Sequence, residues 1–170
     1  MSTPSAEERR FLDLVEANRR LLYKICYMYA TDGDHFNDLY QEVLANIWQG
    51  LATFRGDSAV STWIYRVAIN TCVSNCRSSA RHRVGKVSLD EAAGLAGDDP
   101  SDSRTARIRQ MYELISGLSA MDKALILMWL DEKSYDEISE LTGISRSNVA
   151  VRLHRAKQKL IERNNSLYES

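Results

Sequence analysis

Between Ser134 and Leu160 the chain reads SYDEISELTGISRSNVAVRLHRAKQKL. This segment constrains the fold more than any other. Ser134 with Glu137 makes an S-x-x-E pair able to cap a helix start, and Ile138 and Leu141 form a short apolar face. Gly143 supplies the residue best suited to a left-handed helix end, and Ser145 can cap a second helix with Val149, Leu153, Ala156 and Leu160 as its apolar stripe. A helix, a tight glycine turn and a second helix make a helix-turn-helix, whose second helix fits the DNA major groove.

Charge supports that expectation, although the net charge of −1 does not. Phosphate neutralisation supplies most non-specific affinity for nucleic acid, so a near-neutral chain is a poor candidate on average. Here the charges are segregated. Ser145 to Leu160 holds five basic residues and no acidic one, whereas Asp131 to Ile144 holds Asp131, Glu132, Asp136, Glu137 and Glu140 against Lys133. Arginine pairs bidentately with guanine and asparagine with adenine, which makes Arg146, Asn148 and Arg152 candidates for direct base readout. Ser147, Arg155, Lys157 and Lys159 are candidates for phosphate contacts, with Ala150, Val151 and His154 completing the exposed surface. An ordinary solvated basic helix is the alternative.

The rest of the chain also reads as helical. Only two prolines and eight glycines occur in 170 residues, against abundant Leu, Ile, Ala, Glu and Arg. A first helix is predicted from about Ser5 to Tyr29, opened by a Ser5–Glu8 capping box. A second runs from about Phe36 to Gly50, with Leu39, Val43, Leu44, Ile47 and Trp48 on its apolar face and Asp38, Gln41, Glu42 and Asn46 on the other. After the Phe54 to Ser58 loop, a third helix is predicted from about Ser61 to Ser79, with Ile64, Val67, Ala68 and Cys72 inward. Trp63, Tyr65, Arg66, Asn70 and Arg77 are interleaved with that face: aromatic rings, a base-reading amide and phosphate-seeking cations. The alternative places both aromatics in the core.

From Ser78 to Arg104 the periodicity is lost. Basic residues (Arg77, Arg81, Arg83, Lys86) give way to Ala, Gly, Asp and Ser, with Glu91, Asp98, Asp99 and Asp102, a pattern that predicts a flexible linker. Its acidic half would be repelled by DNA and could cover a basic surface when DNA is absent. The expected architecture is therefore all-α: two small helical domains, residues 1–80 and 104–170, joined by a linker at 81–103. In the second domain Ile108, Met111, Tyr112 and Ile115 mark one helix, and Ser119 with Asp122 opens another that carries the apolar run from Ala124 to Leu130.

No apolar run approaches the roughly 20 residues needed to span a bilayer, and MSTPSAEERR has no secretory signature, so a cytoplasmic protein is expected. Cys26, Cys72 and Cys76 are then expected as reduced thiols. A Cys72, Cys76, His82 metal site, and with it a thiol or zinc sensor, is one alternative. Cysteines four apart on a buried helix face are favoured over it, so no metal or cofactor is predicted.

Taken together, the segment from Asp38 to Thr71, DLYQEVLANIWQGLATFRGDSAVSTWIYRVAINT, with its D-x-x-Q-E and F-R-G features, and Leu118 to Leu160, ending V-x-x-R-L-x-R-A-x-x-x-L, resemble bacterial RNA polymerase sigma factors of the extracytoplasmic-function group. The resemblance covers most of residues 10–79 and 105–160. It implies a sigma factor that binds core RNA polymerase, recognises two promoter elements, helps melt the DNA and performs no covalent chemistry itself. By the same resemblance Asp38, Gln41 and Glu42 dock on the clamp helices of the polymerase's largest subunit. Gly56, Asp57, Ser58, Ala59 and Asn70, with Trp63 and Tyr65 as wall and Arg66 and Arg77 near the backbone, engage the minus ten region. The stretch Arg146 to Arg155, extended by Lys159, reads the minus thirty-five element. Ser147, Asn148, Ala150 and Val151 depart from the group's commonest residues, so its base preference is not carried over. A partner anti-sigma factor is implied, and a monomer when free. The runner-up is a self-sufficient helix-turn-helix regulator, which would not need the first domain in this form.

Overall fold

In a computed structural model the described residues are 3–78 and 103–168. All secondary structure among them is α-helical, and the chain divides into two compact units, Met1–Ser88 and Leu89–Ser170. The expected linker, its charged residues and His82 lie outside the described residues, apart from Ser103 at the start of a helix.

In the first unit the segment predicted as one helix forms two, α1 (Ala6–Ala17) and α2 (Arg19–Tyr29). The break is chemical. The Asn18 side-chain amide donates to the Leu14 carbonyl at 2.8 Å, and its backbone N–H is shared between the Leu14 and Val15 carbonyls, each at 3.2 Å. An asparagine that bonds the turn before it competes with helix propagation. The Ser5–Glu8 capping box opens α1 as expected, yet no residue of α1 is fully buried. The helix rests against α3, where the Phe11 ring meets Trp48 edge-on at 5.2 Å.

Helix α3 (Gly33–Leu51) is capped by Asp32, which accepts from the His35 N–H at 2.7 Å. It buries Phe36, Leu39, Val43, Ile47 and Leu51, an i, i+3, i+4 series that makes one continuous stripe. Helix α4 (Val60–Ser78) buries Ile64, Tyr65, Ala68, Ile69, Thr71, Cys72 and Val73. Helices α2, α3 and α4 pack on one another around these stripes, with α1 against α3. Leu22, Ile25, Leu39, Ile47 and Ile64 are almost wholly buried, each contributing about 1.5–3 kcal/mol of apolar burial. Trp48, expected on the apolar face, is 43% exposed: the stripe rotates past it, and its ring meets Phe11 edge-on.

Among the described residues the second unit holds four helices: α5 (Ser103–Ser116), α6 (Ala120–Leu130), α7 (Tyr135–Thr142) and α8 (Arg146–Tyr168). Ser119 caps α6, and Ala124 to Met128 are buried without interruption, so this helix is the centre of the unit. Helix α8 packs against α5, α6 and α7. It continues past the predicted stripe to Tyr168, and there the Arg163 guanidinium donates to the Leu114 carbonyl at 3.0 Å, closing the C-terminal end of α5. Gly117 makes room for that crossing, since a Cβ there would lie 1.6 Å from Arg163 Nη1.

The Ser134 capping box is formed: the Glu137 carboxylate accepts from the Ser134 N–H at 2.7 Å, and the Ser134 hydroxyl accepts from the Glu137 N–H at 3.2 Å. The bonds from Ser134 hold the Glu137 carboxyl below its ordinary range. A group whose pKa falls on folding adds stability above its unfolded value and loses it as the pH drops through the folded one. Wild type is therefore expected to lose thermal stability on acidification below the ordinary glutamate range more steeply than Glu137→Gln, compared by melting temperature across pH 3 to 6.

Candidate nucleic-acid interface and docking face

The helix-turn-helix is held by bonds within the turn itself. Gly143 takes φ 74°, the left-handed geometry anticipated for it, and its N–H donates to the Ser139 carbonyl at 2.9 Å. The Ser139 hydroxyl donates to the Ile144 carbonyl at 2.7 Å, and the Thr142 hydroxyl, itself donating to the Ile138 carbonyl at 2.7 Å, accepts from the Ile144 N–H at 3.3 Å. The Ser145 hydroxyl accepts from the Asn148 N–H at 3.4 Å, a long bond at the start of α8. With these backbone groups occupied, the angle between α7 and α8 is fixed by local chemistry as well as by packing.

Val149, Leu153 and Ala156 face inward, so Arg146, Ser147, Asn148, Val151, His154, Arg155 and Lys159 are exposed and Ala150 is half-buried. Arg146 bonds Asp136 at 3.0 Å, with its guanidinium 5.9 Å from the centre of the Tyr135 ring. Both partners of that pair are largely exposed, so it is worth little and yields readily to a phosphate or a base edge. Lys157 turns the other way, its ammonium 4.1 Å above the Trp129 ring of α6.

Arg152 has a different engagement from the direct base readout expected of it. Its Nε and one Nη meet the same Asp122 oxygen at 2.9 and 2.8 Å, and Asp122 is 14% exposed. A paired, partly desolvated guanidinium would have to give up a charge-assisted bond to reach a base. The contact ties α8 to the first turn of α6, whereas Arg146 and Asn148 stay exposed on the outer surface of α8. Asp122 was legible in the sequence only as an N-terminal helix residue.

In the first unit Trp63, Arg66, Asn70 and Arg77 recur at helical spacing and share one stripe of α4. Asn70 and Arg77 are exposed, while Arg66 and Trp63 are half-buried. Trp63 meets the Phe54 ring at a tilt of 35° with centroids 5.0 Å apart and lies over Gly50, where a Cβ would come within 2.7 Å of the ring. The indole therefore braces the loop before α4, in which Gly56 (φ 79°), Asp57 and Ala59 are exposed and Ser58 is half-buried. Tyr65 does not join them. It is 3% exposed and part of the core, so the expectation that it lines a surface pocket is corrected: its position falls on the inward stripe between Ile64 and Ala68.

Asp38, Gln41 and Glu42 are exposed together on the outer face of α3. Glu42 is not a loose side chain, because its carboxylate accepts from the Asn75 amide of α4 at 3.1 Å. Of the cysteines, Cys26 and Cys72 are buried and Cys76 is half-buried, and all three are free thiols. Hydrogen bonding to Cys26 and burial push the Cys72 thiol well up, which keeps it protonated. Among the described residues no helix is long and apolar enough to cross a membrane.

Two family models match in chain order, Sigma-70 region 2 over residues 14–82 and Sigma-70 region 4 over residues 108–160. The RNA polymerase sigma factor YlaC of Bacillus subtilis is 34% identical over 127 residues, covering 72% of this chain and 73% of that protein. The ECF RNA polymerase sigma factor SigG of Mycobacterium tuberculosis is 30% identical over 183 aligned positions; they cover 91% of this chain, which spans 49% of that longer protein. Among solved structures, the sigma factor RpoE bound to the anti-sigma factor NepR from Bartonella quintana aligns over 91% of this chain and 93% of its own, with a TM-score of 0.67 and 19% identity. CnrH in complex with the cytosolic domain of CnrY aligns over 93% of this chain and 89% of its own, with a TM-score of 0.64 and 21% identity. At these identities the structural likeness bears on the fold alone.

Proposed function

This chain belongs to the sigma-70 family as an extracytoplasmic-function sigma factor directing promoter-specific initiation by RNA polymerase, and we propose that it divides the task among three surfaces. The outer face of α3, with Asp38, Gln41 and Glu42, docks on basic helices of the polymerase core, where acidic and amide groups give electrostatic complementarity. The loop from Gly56 to Ala59 and the α4 stripe with Trp63, Arg66, Asn70 and Arg77 engage the opened minus ten region. Helix α8 reads the minus thirty-five element as duplex through Arg146, Ser147, Asn148, Ala150, Val151, His154, Arg155 and Lys159, with Arg152 positioning the helix through Asp122.

The observation that carries this is the presence, on one chain and in order, of an exposed acidic-amide helix face and a hydrogen-bonded helix-turn-helix with a basic second helix. The protein works in the cytoplasm, positions the polymerase rather than catalysing, and is held in check by a protein inhibitor of the kind that accompanies RpoE in its solved complex. The test is reconstituted transcription with core polymerase and promoter fragments from the same genome. Promoter-dependent transcript appearing only when the protein is added is the expected result. Absence of transcript, with tight binding of the protein alone to a palindromic duplex, would favour a self-sufficient regulator.

The division of labour has its own consequence at Asn70. A flipped base costs a few kcal/mol of stacking, offset in part by hydrogen bonds to its exposed edge. Asn70→Ala is expected to reduce the rate of promoter opening about tenfold while leaving core affinity within about twofold, as read by permanganate footprinting and core titration.

A further inference from the structure

Glu42 sits at the end of a hydrogen-bonded chain that begins at Thr31, just before the start of α3. The Thr31 N–H donates to His35 Nδ1 at 3.1 Å, which makes Nδ1 an acceptor and leaves the ring proton on Nε2. Nε2 lies 2.9 Å from Asn75 Oδ1, so it donates there. The Asn75 amide is thereby oriented with its NH2 outward, and that NH2 donates to Glu42 Oε2 at 3.1 Å. His35 is itself anchored, its backbone N–H bonded to Asp32 at 2.7 Å in the cap of α3. Every bond in the series runs in one direction, from a backbone N–H through imidazole and amide to a carboxylate.

Asp38 and Gln41, by contrast, have no such brace among the described contacts, and an exposed glutamate left to itself spends much of its time in other rotamers. Fixing one carboxylate before the partner arrives removes ordering entropy that association would otherwise cost. We propose that Asn75, oriented by His35, is a positioning residue that presents the Glu42 carboxylate for docking on the polymerase core. The proposal rests on the assignment of the α3 face as the docking surface.

The chemistry of Asn75 makes the proposal testable by an isosteric change. Asn75→Asp keeps an acceptor for His35 Nε2 but replaces the donor that faces Glu42 with a second carboxylate. A purely structural residue would show the change as a lower melting temperature; a positioning residue shows it as lost core affinity. Titration of full-length protein with core polymerase is expected to give about a fivefold loss of affinity for Asn75→Ala and a larger loss for Asn75→Asp, with melting temperature and duplex binding close to wild type. In a Glu42→Ala background Asn75→Ala is expected to cost nothing more. If Glu42→Ala weakens core binding while Asn75→Ala has no effect, or its effect adds in full, the positioning role is overturned and the docking surface stands. If Glu42→Ala leaves core affinity unchanged, the docking assignment falls and takes the positioning role with it.

Discussion

Replacing Asp38 and Glu42 together by alanine is expected to reduce affinity for core polymerase about a hundredfold, and promoter-dependent transcription with it. Both side chains are exposed on α3 and outside the buried stripe of Phe36, Leu39, Val43 and Ile47, so the fold loses no core packing. A charged group that pairs across an interface typically contributes 2 kcal/mol or more when truncated, and about 1.4 kcal/mol corresponds to tenfold in affinity. Both groups are exposed and only partly desolvated on docking, so about 1.4 kcal/mol each is expected, and two such groups give about a hundredfold. The measurement is a titration of core by fluorescence anisotropy at two salt concentrations, since loss of charge complementarity also flattens the salt dependence. Minus thirty-five duplex binding by the same variant should stay unchanged. An equal loss at both surfaces would mean that α3 serves the fold rather than docking.

The second large effect is expected inside the recognition helix rather than on it. Leu153 is fully buried on the stripe that joins α8 to the rest of its unit. Leu153→Ala removes apolar contacts and leaves a cavity, at a cost of about 3 kcal/mol. A unit of this size is stable by about 4–10 kcal/mol at most, so a large share of its stability goes. Melting followed by circular dichroism should show an early transition for this variant, with loss of duplex binding and core affinity retained through the first unit. Arg155→Ala makes the contrast: an exposed cation whose removal leaves the melt unchanged, weakens duplex binding about fivefold and lowers the salt slope by about one.

These two variants separate what was legible in the chain from what was not. The helix-turn-helix could be read directly, because its signals act over one turn: Ser134 with Glu137, Gly143 at φ 74°, and Val149, Leu153 and Ala156 at helical spacing. The acidic-amide face of α3 was legible for the same reason. Asn18 broke a predicted helix because its side chain bonded the preceding turn, an outcome that periodicity does not register. Trp48 and Tyr65 changed places with expectation. Composition makes both candidates for a core or a surface, and the rotation of each stripe against its neighbours decided which ring was covered.

The sequence by itself determined the helical class, the two-unit organisation, the turn chemistry and the charge segregation, since each follows from residues a few positions apart. Tertiary structure alone decided which functional side chains are held and by what. Arg152 meets Asp122 from 30 residues away, Glu42 meets Asn75 from 33, and Asn75 meets His35 from 40. Such pairs depend on how α3, α4, α6 and α8 lie against their neighbours, and that geometry is set by the filling of buried space across many residues at once. A polar contact that only packing brings together leaves no periodic trace in the chain.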